Sequence, residues 1–276
     1  MQSGYNYSML DCFGGIECVN AQYKNVHLAK HVHEGYAIGV INQGVQKFNS
    51  LGCNHSAGTG SLVIVNADTV HTGESIRDVG CNYRALYPTP ESIDTILSDL
   101  PSSKSCAPYF TNPILHDTEL IELLKTIFSH SDNQSPKLVM ESLLFTFFAK
   151  LVVRQSHSRL SLNTANASSN IDKVRDYLNE YAQQNISLDE LARIGNVNKY
   201  TLIRQFKQKW GLAPHQYQIQ IRVQKAKRLL RTGLLPVEVA TECGFYDQSH
   251  LCRHFKKSLG ATPNQYQVHT SFKTIN

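Results

Sequence analysis

The sequence predicts an α+β chain of two domains: a small β-sandwich or barrel with helices after it, then an all-helical unit. Three observations lead there. Short β-rich runs punctuated by glycines occupy residues 23–87, apolar residues at helical spacing begin after Pro88, and the last third carries one pattern twice. At 276 residues the chain also exceeds the ~100–200 residues usual for one domain, so two separately cored units are expected.

Tyr36–Ile41 and Ser61–Val65 are the clearest β runs, and Gly44, Gly52, Gly58, Gly60 and Gly73 supply turn residues around them. Helices are predicted at 91–100, 117–130 and 136–156. In the last of these Leu138, Glu141, Ser142, Phe145, Phe148, Ala149 and Val152 mark successive turns, and Leu144, Phe147 and Leu151 widen the apolar face. A face this wide packs into a core or serves as a homodimer contact, and periodicity leaves that choice open. Residues 159–170 are small and polar and read as a linker. The predicted boundaries are therefore a first domain over 1–158, a linker over 159–170 and a second domain over 171–276.

Charge divides along the same line. Residues 1–170 hold 11 Lys and Arg against 14 Asp and Glu, whereas residues 171–276 hold 16 against 8. Such a split is the footprint of a polyanion partner for the second domain, although a basic solvated face gives the same count. No apolar stretch approaches the ~18 residues that cross a bilayer, and Asp11 and Glu17 interrupt an N-terminus without the basic start of a secretion signal. A cytoplasmic protein with no membrane partner is expected. The seven cysteines are odd in number and none forms Cys-x-x-Cys, so reduced, buried packing residues are expected at all of them.

The repeat carries most of the functional information. Leu202, Arg204, Phe206, Lys207, Gly211, Pro214, Gln216 and Tyr217 recur 49 positions later as Leu251, Arg253, Phe255, Lys256, Gly260, Pro263, Gln265 and Tyr266. Upstream, Ala192, Asn196 and Val197 correspond to Ala240, Gly244 and Phe245 at an offset of 48, so the second copy has one more residue in its turn. A small alanine, then a residue tolerant of positive φ, then a further helix is the layout of a helix-turn-helix. Support helices are expected at 188–195 and 236–243, and recognition helices at 199–209 and 248–258. Ser187 with Glu190 reads as a capping box, Pro236 as a first helical residue, and Asn198 and Asp247 as caps of the recognition helices. Between the copies, Pro214–Arg231 reads as a rigid spacer helix. Apolar Tyr217, Ile221, Ala226, Leu229 and Leu230 alternate there with basic Arg222, Lys225, Lys227, Arg228 and Arg231.

Over about 171–268 the chain resembles the AraC/XylS family of transcription regulators, most closely in the run from Ala240 to Tyr266 with Gly244-Phe245, Asp247, Ser249, Leu251, Arg253, Phe255-Lys256-Lys257, Gly260, Thr262-Pro263 and Tyr266. It departs from the family at Asn196, where glycine is usual. The resemblance implies promoter DNA and RNA polymerase as partners, activation of transcription, and base readers at Tyr200, Ile203 and Arg204 and at Gln248, Ser249, His250 and Arg253. Arginine pairs bidentately with guanine and glutamine with adenine, whereas Tyr200 and Ile203 offer van der Waals contact, so Arg253 and Gln248 lead the set. Either arginine can instead bind phosphate or a structural partner. Phe206, Phe255, Tyr217, Tyr266 and Trp210 read as core.

Toward the N-terminus, His31-Val-His33 puts two imidazoles on one face of a strand, and His71 follows a second strand. That pattern, over about 25–87, is similar to a cupin barrel, and a cupin joined to this DNA module is similar to the arabinose-sensing members of the family. The fold class implied is an N-terminal cupin-like β-barrel with following helices, plus an all-α C-terminal domain with two helix-turn-helix units. Metal-bearing cupins add a carboxylate shortly after the second histidine. Here Glu34 alternates to the opposite strand face, so no metal or other cofactor is assigned. A pocket for a small polar effector, bordered by His31, His33, Tyr36, His71, Glu74, Tyr83 and Arg84, fits better, though each histidine can equally satisfy a core hydrogen bond. No nucleophile with an adjacent base, phosphate loop or complete metal triad points to an enzyme. The alternatives are a metal-dependent cupin enzyme with a DNA-binding tail and a ligand-independent regulator whose cupin only dimerises.

Overall fold

A computed structural model describes residues 4–24, 27–75, 80–98, 107–133, 135–157 and 170–270. The chain forms two compact units, the first made mainly of residues up to 162 and the second mainly of residues from 163 onward. All of the expected linker except Asn170 lies outside the described residues.

The sheet-rich part runs β1 (Gly4–Leu10), β2 (Ile16–Tyr23), β3 (His27–His31), β4 (Ala37–Ser50), β5 (Cys53–Gly58), β6 (Leu62–Val65), β7 (His71–Ser75) and β8 (Cys81–Tyr87). It continues through α1 (Pro90–Leu97), β9 (Tyr109–Phe110), β10 (Ile114–Leu115), α2 (Thr118–Asp132), α3 (Lys137–Gln155) and β11 (Ser156–His157). Strand order is β1-β2-β8-β4-β6-β10, with antiparallel pairing throughout. The 14-residue β4 serves two sets of partners: its first half pairs with β6 and β8, its second with β5 and β7. The change falls where the register slips between Ile41 and Gln43 and where Gly44 adopts φ 84°. A Cβ at Gly44 would lie 2.2 Å from the Gly80 carbonyl oxygen, so only glycine lets the strand bend there and close the barrel.

Alternation along the strands gives the barrel two buried faces. Leu10, Ile16, Cys18, Ile38, Val40, Leu62, Ile64 and Leu86 pack in one cluster with Ile93 and Ile96 of α1, Leu120, Leu124 and Phe128 of α2, and Leu144, Phe147, Phe148 and Leu151 of α3. The opposite face, with Tyr7, Val19, Ala21, Tyr23, Ile41, Tyr83 and Ala85, is buried as the barrel interior. The β1–β2 hairpin precedes the region expected to be β-rich. Its strands mix Asn, Ser, Glu and Gln with apolar residues, which hides the period. The helices fall close to expectation, but in α3 the buried row is Met140, Leu144, Phe147, Phe148 and Leu151, while Leu138 is 75% exposed.

Four of the cysteines, Cys12, Cys18, Cys81 and Cys243, are buried thiols as expected. Cys53 is exposed instead, because it starts β5 directly after the Leu51-Gly52 turn, and Cys252 is half-buried. Cys106 lies outside the described residues.

The helical part comprises α4 (Asn170–Glu180), α5 (Leu188–Ile194), α6 (Lys199–Trp210), α7 (Pro214–Arg231), α8 (Pro236–Glu242), α9 (Gln248–Leu259) and α10 (Pro263–Thr270). Ile171, Val174, Leu178, Leu191, Leu202 and Phe206 form the core beneath α6. Among the described residues no helix is long and apolar enough to cross a membrane.

Candidate nucleic-acid interface and effector site

The two helix-turn-helix units use matching caps at their recognition helices and different ones at their support helices, where α8 starts at Pro236 and Glu238 accepts from the Leu235 amide. Ser187 accepts a hydrogen bond from the Glu190 amide at the start of α5, Asn198 one from the Thr201 amide at α6, and Asp247 one from the His250 amide at α9. The turns carry positive φ where expected, 47° at Asn196 and 77° at Gly244. The additional residue of the second turn is Tyr246, 92% exposed, which bulges outward without disturbing the helices on either side. One expectation changes. The Glu190 carboxylate does not close a capping box but accepts from the Tyr177 hydroxyl of α4, which holds that hydroxyl's pKa above its ordinary value.

The repeat owes its length to caps and packing. Gly211 and Gly260 end α6 and α9 in the left-handed conformation, at φ 73° and 77°, and their amides donate to Lys207 and Lys256 carbonyls. Gln216 reaches back to the Ala213 amide and Gln265 to the Thr262 amide, capping the next helix in each copy. Phe206 meets Tyr217 edge-on at 5.5 Å, as Phe255 meets Tyr266 at 5.4 Å. Phe206, Phe255 and Tyr266 are fully buried, so these aromatic residues are core.

What the core leaves outside is the candidate interface. Ile203 and Arg204 are exposed one helical turn from Tyr200, whose side chain lies outside the described residues. On α9, Gln248, Ser249 and Arg253 are exposed and His250 is half-buried. His250 and His254 face each other at 4.7 Å between ring centroids. Burial, then the positive field of its neighbours, lowers the His254 pKa to about 4 and depresses His250 as well. His254 was not among the expected readers. Its spacing of one turn from His250 was the available signal.

The spacer helix α7 is more than a spacer. Arg222, taken from sequence as one of its basic positions, is buried and donates through Nε to the Ala182 carbonyl at 2.7 Å, through one terminal nitrogen to Gly244 at 2.5 Å and through the other to Gln184 at 2.8 Å. It therefore ties the segment between α4 and α5 to the turn of the second helix-turn-helix. Gln218 donates to the same Ala182 and Gln184 carbonyls. Burial lowers the pKa of Arg222, yet a guanidinium keeps its charge in proteins.

In the barrel, the seven expected effector residues separate into groups. Tyr83 lies on the interior face, and the buried His33 ring sits 5.0 Å from His71 and 4.9 Å from Tyr87. His31 is buried, and it is the last residue of β3, so His33 falls just beyond the strand rather than two places along it. One ligand atom from each of His31, His33 and His71 lies within 4.8 Å of the others. Tyr36 and Arg84 occupy the other face. The Tyr36 hydroxyl donates to the Pro108 carbonyl at 2.6 Å, and Arg84 makes a bidentate pair with Asp132 of α2, both bonds 2.7 Å, while stacked 4.5 Å over Phe128. Strand parity decides this, since both alternate with inward residues. Glu74 is exposed beside His27. Sequence reasoning missed Glu17, 4% exposed and opposite Tyr87 in register, as well as Tyr7, Tyr23 and Tyr87. The alternation Tyr5-Asn6-Tyr7 was the available signal.

Residues 13–148 match the AraC-like ligand binding domain and residues 191–268 a helix-turn-helix domain. The chain is 28% identical over 221 residues to the uncharacterized HTH-type transcriptional regulator YbfI of Bacillus subtilis, covering 80% of each. It is 25% identical over 230 residues to the HTH-type transcriptional activator RhaS of Klebsiella pneumoniae, covering 80% and 81%. In fold it is similar to ToxT of Vibrio cholerae: a structure bound to an unsaturated fatty acid superimposes with TM-score 0.59 at 17% identity, covering 98% of both chains. With an AraC-like ligand binding domain ahead of a duplicated helix-turn-helix, the chain belongs to the AraC/XylS family of transcription regulators.

Proposed function

We propose that this regulator activates transcription by binding promoter DNA sequence-specifically as a homodimer and contacting RNA polymerase, under control of a small effector in the barrel. Residues 1–158 sense and dimerise, 159–170 link, and 171–276 bind DNA. Effector binding shifts the arrangement in which the two DNA modules of the dimer meet their half-sites. The observation that carries the reading is the duplicated helix-turn-helix, its recognition helices capped at equivalent positions by Asn198 and Asp247, with Arg204 and Arg253 exposed at equivalent positions of α6 and α9. The name of the relative RhaS supports activation. His31, His33, His71 and Tyr83 form the effector set. Arg84 ties the barrel to α2, Tyr36 bonds the Pro108 carbonyl, and Glu74 faces solvent. The chain is read as a binding protein rather than an enzyme.

Purified protein is titrated against fragments of its own upstream region across a salt series, with Arg253→Ala beside it. Specific binding that falls steeply with salt, and a loss of roughly 1–3 kcal/mol of discrimination in the variant, is expected. Binding no tighter than to random DNA across a genomic library, with and without metabolites, would sink the reading.

A further inference from the structure

His31, His33 and His71 are buried at 3%, 8% and 7% exposure and bring one ligand atom each within 4.8 Å of the others. Two of the rings are oriented by their own backbone. His31 Nδ1 lies 2.7 Å from the Ala29 carbonyl oxygen and His71 Nδ1 lies 2.9 Å from that of Thr69. A carbonyl only accepts, so each Nδ1 carries the hydrogen and each Nε2 keeps its lone pair. That is the tautomer a metal-ligating histidine takes, with the second nitrogen donating to a backbone carbonyl. Glu34 is exposed, so the carboxylate missing from the sequence pattern is not supplied by it.

Among the described residues no carboxylate joins the three imidazoles, and such a set selects for borderline transition-metal ions over hard oxygen-seeking ones. Three protein nitrogens also leave one position of a tetrahedral ion for water or an effector atom. We propose that His31, His33 and His71 bind one divalent transition-metal ion of the zinc class through one ring nitrogen each, and that this ion anchors the effector. The anchoring role rests on the barrel being the sensor. Metal binding itself does not.

The test uses the full chain, free of any histidine tag and stripped with chelator, titrated with Co2+, then with Zn2+, with Mg2+ as control. One equivalent of Co2+ per chain, a tetrahedral visible absorption band displaced by Zn2+, and a raised melting temperature with no response to Mg2+ are expected. His71→Gln should weaken Co2+ binding by more than about 100-fold, above the ~10–100-fold typical of losing an outer-shell partner. His33→Cys should add a thiolate-to-cobalt charge-transfer band, a signature that loss of folding cannot mimic. Glu74→Gln should change nothing. Absence of stoichiometric uptake by folded wild type, or unaltered uptake and spectra in both histidine variants, overturns the proposal. DNA binding by the stripped protein is measured in parallel. Intact DNA binding without metal uptake defeats the metal site alone, whereas metal uptake without specific DNA binding defeats the regulator reading alone.

Discussion

Gly244 and Asn196 occupy the same place in the two turns, yet their tolerance to substitution should differ. Both have positive φ, but a Cβ at Gly244 would lie 2.1 Å from the Gln183 carbonyl oxygen, whereas Asn196 already carries a side chain. Gly244→Ala should destabilise the helical unit by more than ~1 kcal/mol, since strain at positive φ adds to the clash. Asn196→Gly should stay within ~0.5 kcal/mol. Urea denaturation of both variants checks this, and equal effects would refute the close-approach argument. The need for positive φ was legible in the sequence at both places. The Gln183 contact was not, because it comes from a segment distant in the chain. His254 supports a pH prediction. Its folded pKa of about 4 lies below the ordinary 6.5, so the unfolded chain takes up a proton that the folded chain refuses. Its contribution to stability should be complete above pH 6.5 and decline as pH falls toward 4. His254→Gln should flatten that decline in melting-temperature measurements between those limits, and an unchanged slope would remove His254 as its source.

Among the elements, the recognition helices depend on caps that the sequence displayed plainly. Asn198→Ala and Asp247→Ala should each cost about 1 kcal/mol, in separate units and so additively in the double variant. A marked departure from additivity in denaturant midpoints would mean that the two units share the effect. The helix between them was legible as a helix but not as a clamp. Arg222 looked like one basic residue among several, because periodicity cannot distinguish a cation in solvent from one that spans to carbonyls of two other segments. Arg222→Ala leaves the Ala182, Gln184 and Gly244 carbonyls without that donor and should destabilise by ~3 kcal/mol, on the scale of hydrogen bonds to a buried charge. Affinity for a full operator should drop more than affinity for a half-site. Equal losses in a binding titration would show that Arg222 does not hold the two recognition helices in register.

For the molecule as a whole, a fragment of residues 170–276 should fold and bind operator DNA with the salt dependence of the full chain, but without response to effector or metal. The helical unit has its own core, which supports independent folding. Calorimetry and a salt-series titration of the fragment check this, and an unfolded fragment would show that the first unit is required for its stability. The sequence by itself determined the α+β class, the duplicated helix-turn-helix with its turns and caps, and the family, because each of these is written in local spacing: a cap needs an oxygen at one position, a turn a tolerant residue four places after an alanine. Tertiary structure decided which barrel residues face inward, since Tyr36 and Tyr83 look alike in sequence and differ by strand register. It also decided that the β1–β2 hairpin belongs to the barrel, that Arg222 is buried, and that two histidines are held by the carbonyls behind them. Those properties depend on which distant segments meet, and no local pattern records that.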